Sequence, residues 1–328
     1  MKPLLKRSLL RAICVGLSVL LCACTGPQPR TEPSDERKLT VIGFSQVGAE
    51  SDWRNGNTKS MQQAFSAENG YRLILEDAQQ KQEKQITAIR NFINQGVDYI
   101  VLAPTTERGW DTVLAEAKAA GIPVIIVDRM IEVADDSLFT CWIGSDFRKE
   151  GDTAVAWMDA HMPEDARIVH LQGSIGSSAQ IGRTEGLMAA LETHPGWSLV
   201  FQGSGDFIQA KGQELVESLL KSGTEFDVIF SENDNMAYGA IDALKAAGLQ
   251  PGKDVTIISF DASSTALRLV LSGAITLDVE CNPMHGPRAR SVIEQLRSGE
   301  TPPKYTYVDE TSFDASNLTE EIISRRGY

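Results

Sequence analysis

Short apolar runs recur along the chain, and most of them stop in a polar or charged cluster. Leu39–Phe44 runs into Ser45 and Gln46, then Glu50-Ser51-Asp52-Trp53-Arg54. Val124–Val127 stops at Asp128-Arg129, Val228–Phe230 at Ser231-Glu232-Asn233-Asp234, and Thr256–Phe260 at Asp261. Four- to seven-residue apolar runs rich in Val and Ile predict buried strands. Between them the apolar spacing is helical. The pattern predicts strands at 39–45, 71–76, 99–103, 124–127 and 138–143. It predicts helices at 55–69, 81–95 and 110–120, with Gly70, Gly96 and Gly121 as C-terminal stops.

The alternation then starts again. Helices are expected at 151–161, 181–192, 209–220, 236–247 and 264–271, separated by strands at 167–172, 197–204, 228–231 and 255–260. Strands alternating with helices of this length imply parallel sheets covered on both faces. Two such series make the fold class α/β, with two similar doubly wound parallel-sheet lobes. Beyond Ile275 there remain a strand, a helix at 286–297 and a tail with Pro302-Pro303, read as irregular. That remainder is too small for a third domain and is read as the chain crossing back to complete the first lobe.

The N-terminus stands apart. Lys2, Lys6, Arg7 and Arg11 precede the apolar stretch Ala12–Leu21, which ends in Leu21-Cys22-Ala23-Cys24. A basic leader, a short apolar core and a small residue before cysteine resemble a bacterial lipoprotein signal. This predicts a signal peptide at 1–23, lipidation of Cys24, a membrane anchor through that lipid, and a flexible polar tether at 24–37. Removing the leader's four basic residues leaves 27 Lys and Arg against 44 Asp and Glu, a net charge of −17. An exported chain this acidic is a poor nucleic-acid binder. Outside the leader and Cys24 only Cys141 and Cys281 remain. A disulfide framework is therefore excluded, while one Cys141–Cys281 bridge stays open. His161, His170, His194 and His285 show no ligand spacing, so no metal site is expected, and no cofactor motif is present.

In an open parallel sheet the carboxyl ends of the strands face the ligand. The side chains collected there suit a small polyhydroxylated molecule. Gln46, Glu50, Ser51 and Arg54 offer hydrogen bonds around Trp53, whose flat face suits the C–H face of a sugar ring. Phe207, after Ser204-Gly205-Asp206, could supply the opposite face. Asp128 beside Arg129 is placed to accept hydrogen bonds from hydroxyls, and it is poorly suited to the protonated acid a glycosidase needs. Arg183 follows a loop of small residues that lacks both complete phosphate-binding glycine patterns. Asn233 and Asp261 end strands of the second lobe, where each is either a ligand contact or a helix N-cap. Asn282 precedes Pro283 where the chain should cross between lobes. No catalytic set is legible, so an enzyme is not expected.

At these residues the chain resembles the periplasmic-binding-protein family that serves sugar ABC transporters, in its ribose-binding-like branch, over 38–328. In particular it is similar to galactofuranose-binding proteins. The similarity rests on Gly43-Phe44-Ser45-Gln46-Val47-Gly48, Ser51, Trp53-Arg54, Gln79–Glu83, Ala103-Pro104, Gly109-Trp110 and Asp128-Arg129. It continues through Leu171-Gln172-Gly173, Gly205-Asp206-Phe207, Asn233-Asp234 and Gly327-Tyr328. The resemblance implies three hinge crossings, with one lobe at 38–145 plus 282–311 and the other at 146–281 plus 312–328. It implies that Asp128 and Arg129 take ring hydroxyls from one lobe and Arg183, Asn233 and Asp261 from the other. Asn282 would act at the hinge, and Trp53 and Phe207 would sandwich the ring. Ala103 stands where ribose binders carry asparagine, and Asn282 where they carry glutamine, which argues against ribose; Ala103 together with Trp53-Arg54 argues for a furanose. The implied protein is a monomer that closes around a monosaccharide and hands it to an ABC transporter permease. The alternative is an exported sensing subunit that presents the sugar to a membrane receptor or histidine kinase.

Overall fold

The computed structural model describes residues 39–328. The leader, Cys24 and the tether at 24–37 lie outside the described residues. The first series forms β1 (Thr40–Gln46), α1 (Asp52–Ala64), β2 (Tyr71–Asp77), α2 (Gln82–Gln95), β3 (Tyr99–Leu102), α3 (Asp111–Ala119), β4 (Val124–Val127) and β5 (Cys141–Gly144). The second forms α4 (Phe147–His161), β6 (Ala166–Gln172), α5 (Ser178–Thr193), β7 (Trp197–Ser204), α6 (Gln209–Ser222), β8 (Val228–Ser231), α7 (Asp234–Ala246), β9 (Thr256–Asp261), α8 (Ser264–Leu271) and β10 (Leu277–Glu280). The remainder supplies α9 (His285–Ser298), β11 (Tyr305–Tyr307), β12 (Ser312–Phe313) and α10 (Glu320–Ser324).

Two six-stranded sheets result, in the orders β2-β1-β3-β4-β5-β11 and β7-β6-β8-β9-β10-β12. The orders are the same but for the last strand's direction: β11 joins β5 in parallel and β12 joins β10 antiparallel. The chain therefore passes between sheets three times, after β5, after β10 and after β11. Each sheet is buried on both faces, as parallel sheets require. Along β4, Val124 and Ile126 pack with Phe92 and Val113, while Ile125 and Val127 pack with Met61 and Ala289 on the other face. Along β9, Ile257 and Ile258 divide between faces in the same way.

Several element expectations need correction. The strand expected at 138–143 is a single 3-10 turn at Asp136–Leu138 followed by β5. Asp135 accepts from the backbone N–H of Ser137 and holds that turn. The tail is not irregular. It contributes β11, β12 and α10, which are too short to carry a periodic signal. The helix expected from Asn55 begins at Asp52, with consequences for the site. Among the described residues no helix is long and apolar enough to cross a membrane.

Candidate ligand site between the lobes

The carboxyl ends of the two sheets face one another across a cavity between the lobes. Ten of the expected residues line it: Glu50, Ser51, Trp53, Arg54, Asp128, Arg129, Arg183, Phe207, Asn233 and Asp261. Gln46 and Asn282 do not. Phe147, Ala179 and Cys281 line it without having been singled out.

The wall from the first sheet is built on a helix start. Ser51 caps α1, its Oγ accepting from the Arg54 backbone N–H at 3.1 Å. Trp53 and Arg54 therefore lie in the first helical turn rather than on a loop, and a capped turn fixes them more rigidly. Arg54 Nη1 donates to Asp128 Oδ2 at 2.8 Å and to Gln46 Oε1 at 3.2 Å, and its Nε donates to Glu50 Oε1 at 3.2 Å. Gln46 stands behind this arginine, its amide donating to Asn57 Oδ1 and Thr58 Oγ1. Trp53 Nε1 donates to the Cys281 carbonyl at 2.7 Å, and the Arg54 guanidinium stacks 4.6 Å from the Trp53 ring centre.

Asp128 and Arg129 are neighbours in sequence, yet their closest charged atoms are 4.0 Å apart. Arg129 instead donates to the Thr105 carbonyl at 3.0 Å and lies 5.3 Å from the Phe207 ring centre. Burial, with Arg54 nearby, pulls the Arg129 guanidinium down to about 10, which leaves it charged at neutral pH.

The wall from the second sheet centres on Arg183. Ser177 caps α5 and so places Arg183 two turns into that helix. Arg183 Nε donates to Glu150 Oε2 at 2.7 Å, Nη1 to the Glu232 carbonyl, and Nη2 approaches Asp261 Oδ1 at 3.8 Å. Its guanidinium rests on Phe260 at 4.8 Å and Phe147 at 5.5 Å. Asn233 is both cap and lining: its Oδ1 accepts from Met236 N–H, and its Nδ2 donates to the Phe207 carbonyl. Asp261 caps nothing, since Ser263 caps α8. Burial pushes its carboxyl well above the usual range, with Arg183 opposing.

Three lining residues hold left-handed backbone: Asp128 at φ 66°, Phe207 at φ 64° and Asp261 at φ 116°. Non-glycine residues in this region store strain, which clusters where side chains must be aimed at a ligand. Two buried polar atoms of the lining, Glu50 Oε2 and Arg129 Nε, have no hydrogen-bond partner. Unpaired buried polar atoms are costly, and a polar ligand would satisfy them.

Contacts across the cleft hold the lobes together over this cavity. Asp52 N–H donates to Asn235 Oδ1 at 3.0 Å, Met130 N–H to Ser178 Oγ at 2.9 Å, and Glu107 N–H to the Gly176 carbonyl at 3.1 Å. The site is therefore closed, with Arg54, Arg129 and Arg183 each 2% exposed. Asn282 works beside it: its Oδ1 accepts from Met284 N–H at 3.0 Å and from Arg288 at 3.3 Å, bracing the crossing between β10 and α9. Cys141 and Cys281 are both buried free thiols, so the bridge left open by the sequence is not formed.

Two like lobes closed over a polar cavity, with the chain crossing between them three times, define a hinged ligand-binding protein. Residues 42–284 match the model of the periplasmic binding protein domain, and the chain belongs to that family. It is 37% identical to the galactofuranose-binding protein YtfQ of Escherichia coli over 88% of this chain and 92% of that one. Among solved structures it is similar to the arabinose ABC transporter binding component of Shewanella sp. ANA-3, bound to α- and β-L-arabinofuranose. That match has 40% identity and a TM-score of 0.82, covering 88% of this chain and 96% of that one. A Mycobacterium smegmatis structure in complex with β-D-fucofuranose matches at 39% identity and TM-score 0.80, covering 84% of this chain and 91% of that one.

Proposed function

We propose that this protein captures a monosaccharide in furanose form, galactofuranose or a close relative, between its lobes and delivers it to an ABC transporter permease. The observation that carries this reading is the closed cavity ringed by Arg54–Asp128, Arg129 and Arg183–Asp261, with Trp53 and Phe207 in its lining. Three guanidinium groups and two carboxylates suit ring hydroxyls, which both donate and accept. The aromatic pair suits the apolar face of a sugar. Relatives whose names or bound ligands are furanoses support the ring form.

In this reading the ten lining residues Glu50, Ser51, Trp53, Arg54, Asp128, Arg129, Arg183, Phe207, Asn233 and Asp261 contact the sugar. Gln46 positions Arg54, and Asn282 braces the hinge. The lobes comprise 38–145 plus 282–311 and 146–281 plus 312–328. They open and close about the three crossings, and closure excludes water from the charged groups. The protein acts as a monomer, exported and held at the membrane by lipid on Cys24. Replacing Cys24 by Ser is expected to abolish lipid labelling, and unchanged labelling would remove the anchor from the account.

A thermal-shift screen of pentoses and hexoses in both ring forms tests the whole reading. Stabilisation by furanoses is expected. A screen in which no sugar raises the melting temperature would overturn it.

A further inference from the structure

Next to the sugar cavity, which Cys281 also lines and whose Arg183 holds Glu150, the chain crossings gather a second set of chemically active groups. Glu150 lies in the first turn of α4, Cys281 on the crossing after β10, and Glu310 on the crossing after β11. One ligand atom from each lies within 4.8 Å of the others. Glu310 Oε1 accepts from Ser145 Oγ at 2.7 Å and from the Asn282 backbone N–H at 2.6 Å, and Ser145 Oγ lies 3.4 Å from Cys281 Sγ. Glu150 is 4% exposed, with Oε2 held by Arg183 and Oε1 left without any hydrogen-bond partner. Two carboxylates and a thiol thus converge with one buried oxygen unsatisfied.

The surroundings carry negative charge. The adjoining groove is lined by Asp146, Glu150, Glu280, Asp309 and Glu310, with Lys149 the one cation in its lining; from behind, Arg183 pairs with Glu150 and Arg326 with Glu280, which leaves Asp146, Asp309 and Glu310 in excess. Such a field draws a cation, and the groove supplies a route for it and room for coordinated water.

We propose that Glu150, Cys281 and Glu310 form a hinge site for a thiophilic divalent cation, with zinc as the fitting metal. The donor set selects the class: a thiolate favours zinc over magnesium or calcium, and carboxylate oxygen is a common zinc ligand. Zinc takes sulfur at about 2.3 Å and oxygen at about 2.0–2.2 Å, so tetrahedral donors stand roughly 3.5 Å apart and this cluster must draw in by about 1 Å. Both glutamates have rotatable stems, and Glu310 is only partly buried. On binding, Cys281 loses its thiol proton to solvent, sulfur donates a lone pair to the metal, and water from the adjoining groove fills the fourth position. Arg183 on Glu150 Oε2 serves as the outer hydrogen bond that orients a ligating carboxylate. The site uses none of the four histidines and does not depend on the sugar assignment.

The test is cobalt titration of the purified full chain after treatment with a chelator. A near-ultraviolet thiolate-to-cobalt charge-transfer band that saturates at one metal per chain and is bleached by zinc is expected. Cys281→Ser should abolish the band, whereas Cys141→Ser should keep it. Glu310→Gln retains an oxygen for Ser145 and Asn282, so it should fold while binding cobalt at least tenfold more weakly. No band in the parent chain would overturn the proposal, as would a band that survives Cys281→Ser or full-strength binding by Glu310→Gln.

Discussion

Arg54 Nη1 donates to Asp128 Oδ2 at 2.8 Å, tying the first turn of α1 to the end of β4. The two residues stand 74 positions apart in sequence, and both are almost fully buried. The same guanidinium also holds Glu50 and Gln46. Arg54 is thus the shared counter-ion of two buried carboxylates, and Asp128 is one of its several partners.

That asymmetry sets the first prediction. Arg54→Ala removes the hydrogen-bonded cation of both Asp128 and Glu50, leaving only Arg129 at 4.0 Å from Asp128, and breaking buried ion pairs costs about 3–5 kcal/mol. Asp128→Ala leaves Arg54 paired with Glu50 and costs less stability. Urea unfolding of both variants without ligand should rank Arg54→Ala as the more damaging. The reverse order would show that Arg54 is not the centre of this network.

Phe207 is held in place by the absence of a side chain opposite it. A Cβ on Gly173 would lie 1.9 Å from Phe207 Cζ, so any side chain there displaces the ring. Gly173→Ala should weaken sugar binding at least tenfold, about 1.4 kcal/mol. The overpacking cost to the fold should stay within about 1–3 kcal/mol. Calorimetry beside thermal unfolding separates the two effects, and parent-like affinity would mean that Phe207 does not contact the sugar.

A third prediction concerns acid stability. His285, at the start of α9, is fully buried, and neither ring nitrogen has a hydrogen-bond partner. Burial pulls its pKa from 6.5 down to about 3; Arg288 and Arg54 act in the same direction and Asp128 opposes them. The Trp53 ring packs 6.0 Å away. Between pH 6.5 and 3 the unfolded chain holds the proton and the folded chain does not. Stability therefore falls as pH falls through that window, by about 1.4 kcal/mol per pH unit from this group. His285→Phe should flatten the slope by that amount between pH 6 and 4 while matching the parent near pH 7. Denaturant unfolding across that range checks it, and an unchanged slope would exclude His285 as the source.

Strand-end positions were legible in the sequence because parallel strands read as unbroken apolar runs, so Asp128 and Asp261 stood out as the first polar residues after them and Asn233 as part of the polar cluster after Phe230. The two-lobe fold followed from the repeated alternation. Side-chain direction was not legible. Gln46 ends β1 just as Asp261 ends β9, yet its amide turns to Asn57 and Thr58 on α1. Asn282 was placed at a crossing but caps it instead of facing the cavity. The Asp128–Arg129 adjacency suggested a pair, whereas left-handed backbone at Asp128 turns its carboxylate to Arg54. Phe147 and Ala179 fall just ahead of the helices expected at 151–161 and 181–192 and carry no polar group to single them out, yet they lie in the first turns of α4 and α5 and so reach the cavity. From sequence alone Cys281 shows only a possible disulfide partner, because its neighbours Glu150 and Glu310 come from distant segments.

The central claim is that the closed cavity holds a five-membered sugar ring. Trp53 and Phe207 both line the cavity, and the Arg54 guanidinium lies over the Trp53 ring. A six-membered ring would leave buried donors such as Arg129 Nε unpaired, at about 1–3 kcal/mol each. Titration calorimetry with sugars locked in one ring form measures this directly. The account predicts that galactofuranose or a close furanose binds at least tenfold tighter than galactopyranose, ribose or glucose. Equal or tighter binding of a pyranose would contradict it.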